Sequence, residues 1–294
     1  MFTGMGFEIS LFSIGLLWIL AALIFDIKTK EVPNWLNFSF VIIVLVFRAL
    51  YSIFYLDYMV FVFGVVGVGL FFVLANVLYN SKLFGGGDAK LLVGLGGVIF
   101  LAPTWQINLL YTGFFILLLL VMGLVYGLIA SIVRVSLNWK SKKDVFRKEF
   151  VKQYSSNKWY FFGAAILFFA SIGLYYFYRS FPVVPVIFIL LIFPILLVFL
   201  RAIENVIFVK KVNVEDLRIG DWLFKDVKLK SDVVKSNFDG LTSAEISRLK
   251  KEQKSVVIRD GIVFVPAFLL AYLAFIVLWY PGTNLLSKVL GLLF

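Results

Sequence analysis

The sequence contains no cysteine and no histidine among its 294 residues. Without cysteine the chain can form no disulfide bond, and thiol-based catalysis is excluded. Without histidine, a Ser-His-Asp hydrolase and a histidine general base are excluded as well, and a structural zinc site loses its usual ligands. Acid–base chemistry must therefore use Asp, Glu, Lys, Tyr or water, and we expect no metal and no other cofactor.

Charged residues are also scarce, at 15% of the chain, whereas 62% of the residues are apolar. Soluble domains carry about 25% charged residues, so this composition excludes a soluble globular protein. The 34 Phe, 13 Tyr and 7 Trp residues exclude a disordered chain. The sequence therefore predicts an all-α polytopic membrane protein.

The apolar residues fall into blocks that predict seven to eight hydrophobic helices. The block at 91–103 is shorter than a full span and rich in glycine, which predicts a short or half-buried helix. The other blocks have about the length of membrane helices and lie at 7–25, 37–56, 58–79, 107–135, 159–178, 183–201 and 262–280.

The net charge of +11 follows from where the basic residues lie. If the amino terminus is outside the membrane, 25 of the 28 Lys and Arg residues fall on the cytoplasmic side or at the inner ends of spans. The exceptions are Arg48, Arg179 and Lys288. This asymmetry obeys the positive-inside rule and predicts an outside amino terminus. No basic groove with interleaved aromatic residues indicates nucleic-acid binding.

The same patterns divide the chain into five parts. A membrane core occupies 1–135. Residues 136–158 are basic and carry Phe146, Phe150 and Tyr154 at intervals of four, which predicts an amphipathic helix on the anionic inner leaflet of the bilayer. A solvated charged loop is the alternative for this segment. A membrane helical hairpin, a small α+β cytoplasmic domain and a last span with an outer tail are predicted at 159–201, 202–260 and 261–294.

The domain at 202–260 contains alternating segments that favour strands, and one clear helix signal. Thr242 followed three residues later by Glu245 has the pattern of a capping box. The sequence leaves the role of this domain open.

Two acidic residues are predicted at the cytoplasmic face. Asp26 follows the first span directly, Asp88 precedes the fourth apolar block, and two spans between them return the chain to the same membrane level. A lone aspartate at a helix end is usually a solvated boundary residue, and Asp88 could also cap a helix. Two carboxyl groups that meet can share one proton and activate water, as an aspartic protease dyad does.

Two short motifs surround these aspartates. The first has an aspartate, a lysine two positions later and then a Pro-Asn pair. The second has three glycines directly before its aspartate and a lysine two positions after it. The residues are Asp26, Lys28, Pro33 and Asn34 in the first motif, and Gly85, Gly86, Gly87, Asp88 and Lys90 in the second.

In this order and spacing the motifs resemble those of the type IV prepilin peptidases and archaeal preflagellin peptidases, which are membrane aspartic proteases of the GxGD class. The resemblance covers about residues 10–135, and GIVFVPAFLLAYL resembles the end of longer archaeal members. It implies that Asp26 and Asp88 are catalytic. It also implies a pilin-like or archaellin precursor as substrate, cut behind a short basic leader at the inner face of a prokaryotic cytoplasmic membrane.

The chain departs from the bacterial members of this family. Those typically carry a four-cysteine zinc-binding loop and also methylate the new amino terminus. The absence of cysteine fits the archaeal-like form, a protease without methyltransferase activity. The oligomeric state and the precursor that is cut stay open.

Two alternatives remain. A protease of the presenilin or signal-peptide-peptidase kind carries a Pro-Ala-Leu motif, for which Pro266-Ala267-Phe268 is the nearest match here. A non-enzymatic transporter or membrane scaffold would place charges and broken helices near the midplane, whereas Arg48 is the one obvious charge inside a predicted span.

The other motif residues have expected roles. The glycines would let the backbone approach the substrate and adopt positive φ. Lys90 would hold the carboxylate of Asp88 or extend to lipid headgroups. Pro33 and Asn34 would shape the turn into the second span.

Helix dipoles give an expectation for the shared proton. Asp26 follows the carboxyl end of a helix and Asp88 precedes an amino end, which favours an ionised Asp88 and a protonated Asp26. Lys28 and Lys30 act in the opposite direction and leave the assignment open. Because like charges repel, we expect the two carboxyl groups not to be hydrogen-bonded before substrate binds.

Overall fold

The computed structural model describes residues 4–177, 183–229, 232–237 and 240–279. Arg179, Lys288 and the predicted outer tail from residue 280 onward lie outside these ranges. The chain divides into two compact units, one formed by 1–129 with 262–294 and the other by 130–261.

Helices dominate the described part of the chain. In chain order they are α1 (Met5–Thr29), α2 (Asn34–Tyr55), α3 (Tyr58–Asn80), α4 (Gly86–Ile99), α5 (Trp105–Ser156), α6 (Lys158–Phe177), α7 (Val183–Val206), α8 (Ser243–Glu252) and α9 (Val265–Trp279).

Four of the described helices, α1, α2, α3 and α5, are long and apolar enough to cross a membrane. Two shorter apolar helices are Lys158–Phe169, within α6, and α9. Together with the small strand-containing region described below, these helices confirm the predicted fold class.

The first unit is built around the short helix α4. With 14 residues it is about 21 Å long, less than the roughly 30 Å of a bilayer core. This matches the short helix predicted from the block 91–103, but α4 begins five residues earlier, at Gly86. α4 packs against α1, α2 and α3 and is buried along most of its length.

Glycines bring the backbones of α3 and α4 into close contact. A Cβ atom built on Gly96 would lie 2.4 Å from the carbonyl oxygen of Gly67, and one built on Gly67 would lie 2.4 Å from the oxygen of Gly96. No side chain fits at either position, so the two backbones can approach this closely only because both residues are glycine. Small residues play this role widely between membrane helices.

Arg48 of α2 is 1% exposed and binds three backbone carbonyl groups. Its Nε, Nη1 and Nη2 atoms donate to Gly97 at 2.7 Å, Val60 at 2.8 Å and Phe100 at 2.6 Å. Gly97 and Phe100 lie at the carboxyl end of α4, where carbonyl groups lack helical partners and favour a cation. The one obvious charge in a predicted span therefore holds the end of α4.

The second unit contains the rest of α5, followed by α6 and α7. The helix α5 continues through 136–156 without a break, which excludes the solvated loop that was the alternative for 136–158. Phe146 is 7% exposed, and its ring contacts those of Trp139, Phe150 and Phe199. The aromatic side chains of this segment therefore pack in part against other residues of the chain, and not only against the predicted lipid surface.

The small domain of the second unit is mixed α+β, as predicted. Its strands are β1 (Val209–Asn213), β2 (Trp222–Leu223), β3 (Val227–Lys228), β4 (Val233–Val234) and β5 (Ser255–Arg259). An antiparallel sheet has the order β1-β5-β2, and β3 pairs with β4.

The capping box at the start of α8 is confirmed. The Thr242 N–H donates to Glu245 Oε2 at 2.8 Å, and the Glu245 N–H donates back to Thr242 Oγ1 at 3.3 Å. The backbone N–H of Thr242 and then its hydroxyl hold the pKa of Glu245 below its usual value.

The close packing of α3 against α4 gives a test of the fold. Gly96→Ala places a methyl group against the Gly67 backbone, and we expect it to lower the unfolding free energy by about 1–3 kcal/mol. Gly69→Ala is the matched control, because a Cβ there meets nothing within 4 Å. It should leave stability unchanged or raise it slightly. Unfolding in mixed micelles measures both, and equal effects of the two variants would contradict this packing.

Candidate active site

Asp26 lies in the last turn of α1, three residues before the helix ends at Thr29. The sequence placed it directly after the span, so the helix extends further than its apolar block indicates. Asp26 is 6% exposed. Its Oδ2 atom accepts hydrogen bonds from the backbone N–H groups of Phe264 and Val265, each at 3.1 Å. The carboxyl group is therefore buried and held by the start of α9.

Asp88 lies in the first turn of α4 as the third residue of the helix. The sequence placed it before a helix, with a possible role as N-cap, but the N-cap residue is Gly85. The carboxyl group of Asp88 accepts a hydrogen bond from the Gly85 backbone. This is the N3-to-N-cap half of a capping box, and it orients Asp88 at the amino end of α4.

The two carboxyl groups lie within electrostatic range of each other. In the described part of the chain no hydrogen bond joins them, as we expected for two groups of like charge. One proton shared between such a pair leaves one group as acid and the other as base. Among the described residues, no three Asp or Glu side chains are placed to hold a metal ion.

The first and second motifs also pack against each other through their backbones. A Cβ atom built on Gly87 would lie 3.3 Å from the nitrogen of Val32. Asn37 Nδ2 donates to the Gly87 oxygen at 3.4 Å. Gly87 thus allows a close approach within the chain itself, and the approach to a substrate expected of the glycines stays a prediction. The expected positive φ was wrong, because the described glycines with positive φ are Gly220 and Gly240.

Lys90 connects the motifs by a different route from the one expected. Its Nζ atom donates to Asn34 Oδ1 at 2.6 Å, so Lys90 holds the start of α2 rather than the carboxylate of Asp88. Asn34 is the first residue of α2 and Pro33 is the N-cap residue. Lys28 lies exposed in the last turn of α1.

A groove of about 310 Å³ lies beside α4 but does not include the aspartates. Its α4 residues occupy positions 86, 89, 90 and 93, which form one helix face, while Asp88 projects from a different face. The lining residues are Phe72, Ala75, Asn76, Tyr79, Gly86, Ala89, Lys90 and Val93.

Sequence reasoning missed three residues that touch the site. Asn37 is 2% exposed, and among the described residues its Oδ1 atom has no hydrogen-bond partner. An asparagine at the start of an apolar block was a signal that could have identified it. Phe264 and Val265 contribute backbone N–H groups, so their side chains gave no signal.

The hydrogen bond between Lys90 and Asn34 can be measured by a double-mutant cycle. We expect Lys90→Met and Asn34→Ala to be coupled by about 0.5–1.5 kcal/mol of unfolding free energy, because each removes the same bond. Unfolding of wild type, both single variants and the double variant gives the coupling. Additive effects would show that this bond does not join the motifs.

Comparison with known proteins covers the part of the chain that holds both aspartates. Residues 13–132 match the type IV leader peptidase family. The chain is also 29% identical over 86 residues to a preflagellin peptidase of Methanococcus maripaludis, an alignment that covers 29% of this chain and 37% of that relative. No solved structure matches the chain. The segment 13–132, which contains both motifs and their contact, is therefore similar to the type IV leader peptidase family.

Proposed function

We propose that this chain is a membrane-embedded aspartic endopeptidase that removes the short basic leader of type IV pilin-like or archaellin precursors. The observation that carries the proposal is the contact of Gly87 with Val32 and Asn37, which brings the motifs of Asp26 and Asp88 together inside the segment that matches a leader peptidase family. The name of the relative, a preflagellin peptidase, supports the choice of substrate.

The chemistry follows from the residues available. With no histidine and no cysteine in the chain, a pair of carboxyl groups is the simplest acid–base device for hydrolysing an amide. One carboxylate takes a proton from water, and the other group, protonated, donates to the scissile carbonyl oxygen. Neither step needs a metal ion, and neither needs a covalent intermediate. The proposed activity is proteolysis alone, without methyl transfer.

The proposed topology places this chemistry at the cytoplasmic membrane face. Asp26 lies near one end of α1 and Asp88 near the start of α4, and the loops beside them carry lysines. Under the positive-inside rule this side is cytoplasmic and the amino terminus is outside. A substrate with an apolar helix would then present its leader junction at the level of the dyad. The host membrane is proposed to be archaeal.

Replacement of either aspartate tests the catalytic pair. We expect Asp26→Asn and Asp88→Asn each to lower kcat by a factor of at least about 10²–10⁴, because each removes one half of the acid–base device. Purified protein in nanodiscs is mixed with a preflagellin substrate, and the product is measured by mass spectrometry.

Asp57→Asn is the matched control for charge removal. Asp57 is the N-cap residue of α3 and its Oδ1 atom accepts from the Met59 N–H at 3.1 Å. Asparagine caps a helix as well as aspartate does, so cleavage by this variant should stay near the wild-type rate. EDTA should not inhibit any active form. Normal rates in Asp26→Asn or in Asp88→Asn would exclude the dyad.

The topology has its own test, since the chain has no native cysteine. Val145 and Leu56 are 58% and 91% exposed, and the proposal places them on opposite sides of the membrane. In intact cells an impermeant thiol reagent should label Leu56→Cys, and it should label Val145→Cys only after permeabilisation. The reverse pattern would overturn the proposed orientation.

A further inference from the structure

The start of α9 places two backbone N–H groups against one carboxyl oxygen. Both Phe264 and Val265 donate to Oδ2 of Asp26, although 238 and 239 residues separate the partners in sequence. The first N–H groups of a helix have no partner within the helix. Left without an acceptor in an apolar environment, they would be costly. Asp26 therefore supplies the acceptor that the amino end of α9 needs.

Side-chain packing fixes α9 in this position relative to α1. Tyr272 of α9 is fully buried, and its hydroxyl donates to the Phe12 carbonyl at 2.9 Å. Gly15 makes room for the phenol ring, since a Cβ atom built there would lie 2.2 Å from the Tyr272 hydroxyl oxygen. The packing of α9 against α1 is thus fixed by contacts that do not involve Asp26, and this packing places the two N–H groups at its carboxyl group.

The same end of α9 also contacts the second motif. The ring of Phe84, the residue directly before Gly85, has its centroid 5.5 Å from that of Phe264 and 5.7 Å from that of Phe268. Phe84 is 3% exposed. The start of α9 therefore contacts Asp26 directly and, through Phe84, the loop that leads to Asp88.

We infer that Phe264 and Val265 are positioning residues of the active site. Their backbone N–H groups hold Asp26 as the carboxylate, so that Asp26 is the general base and Asp88 the general acid. This inference rests on the proposed peptidase function. It also extends the site beyond residues 13–132, the segment that matches the family.

The comparison of hydrogen-bond donors supports this assignment. The carboxyl oxygen of Asp26 accepts from two backbone N–H groups, whereas the carboxyl group of Asp88 accepts from one, that of Gly85. Donors to the charged form favour ionisation. Because the two groups repel each other as anions, the one with more hydrogen-bond donors ionises and the other keeps the proton.

Nearby charged residues do not reverse the assignment of Asp26 as the ionised group and Asp88 as the protonated one. In the described part of the chain neither aspartate forms a salt bridge. Lys28 and Lys30 lie exposed on and just after α1, and Glu31 follows them in the loop. On α4, Lys90 donates to Asn34. Tyr272 is the one titratable residue of α9, and its hydroxyl is bonded to Phe12.

The assignment reverses the expectation from helix dipoles. That expectation considered only the carboxyl end of α1 beside Asp26. The structure adds the amino end of a second helix, α9, whose N–H groups bond the carboxylate directly.

The proposed reaction then proceeds in two balanced steps. Asp26 takes a proton from water while the water oxygen bonds to the scissile carbon, and Asp88 gives its proton to the carbonyl oxygen. The carbon–nitrogen bond then breaks, and the leaving nitrogen receives the proton held by Asp26. Asp88 recovers a proton from the hydroxyl as the carbonyl re-forms, which restores both groups.

Replacement of the Val265 amide by an ester tests the inference without changing a side chain. Incorporation of the α-hydroxy analogue of valine replaces this N–H by an oxygen atom. The helix loses no internal hydrogen bond, because the N–H of Val265 has no acceptor within α9. We expect kcat to fall about 10- to 100-fold, the loss of one hydrogen bond to a charged group, with KM changed less than about twofold. The corresponding ester at Phe264 removes the second N–H and should have a similar effect. Val265→Ala changes the side chain but keeps the N–H, so the ionisation of Asp26 should not shift in this variant.

Infrared titration of isotope-labelled aspartate provides an independent readout. In the Asp88→Asn background, Asp26 should ionise at lower pH than Asp88 does in the Asp26→Asn background. The Val265 ester should move the ionisation of Asp26 upward by about one pH unit, the equivalent of a tenfold loss, and leave that of Asp88 unchanged.

The outcomes separate the inference from the proposed function. If Asp26→Asn and Asp88→Asn still cleave substrate, the peptidase proposal itself fails. If both are inactive but the two esters match wild type in kcat, the peptidase proposal stands and the role of α9 is wrong. An Asp88 that ionises at lower pH than Asp26 would overturn the assignment even if the esters slow cleavage.

Discussion

The first unit depends on the close packing of α4 against α2 and α3. α4 is too short to cross a bilayer, so its own length cannot set its depth in the membrane, and packing must do so. Four glycines of α4 contact Val32, Phe40, Val44 and Gly67 so closely that a Cβ atom at these positions would clash or just fit. Asn37 bonds the carbonyl of Gly87 at one end, and Arg48 bonds carbonyls at the other. One neighbour, α2, thus holds both ends of the helix that carries Asp88.

The environment of the two carboxyl groups is built from neutral donors rather than cations. A lysine or arginine beside the pair would stabilise both anions and remove the reason to share a proton. Backbone N–H groups from α9 and from Gly85 satisfy the oxygens without adding a full charge. The nearest motif lysine, Lys90, donates instead to Asn34. This arrangement suits the proposed dyad, in which one group must stay protonated.

Sequence reasoning succeeded where residue type determines structure and failed where backbone contacts do. The apolar blocks predicted the helices, and Thr242 with Glu245 predicted the start of α8. The start of α4 was missed because three consecutive glycines resemble a loop, although the last two of them are the first residues of the helix. The bond between Lys90 and Asn34 was missed because each residue had a reasonable local role. Nothing in the side chains of Phe264 and Val265 could indicate that their N–H groups bond Asp26.

The hydrogen bonds from the Phe264 and Val265 N–H groups to Asp26 determine how much of the chain the candidate site requires. The segment that matches the family ends at residue 132, yet Asp26 is bonded to a helix that starts at Val265. Comparison of residue types detects such a contact poorly, because almost any amino acid carries a backbone N–H. Proline is the exception, and Pro266 follows directly after the two donors. It fits the first turn of a helix, where its missing N–H breaks no helical bond. Pro266 is thus compatible with a helix that begins at Val265, and the beginning of α9 determines which N–H groups reach Asp26.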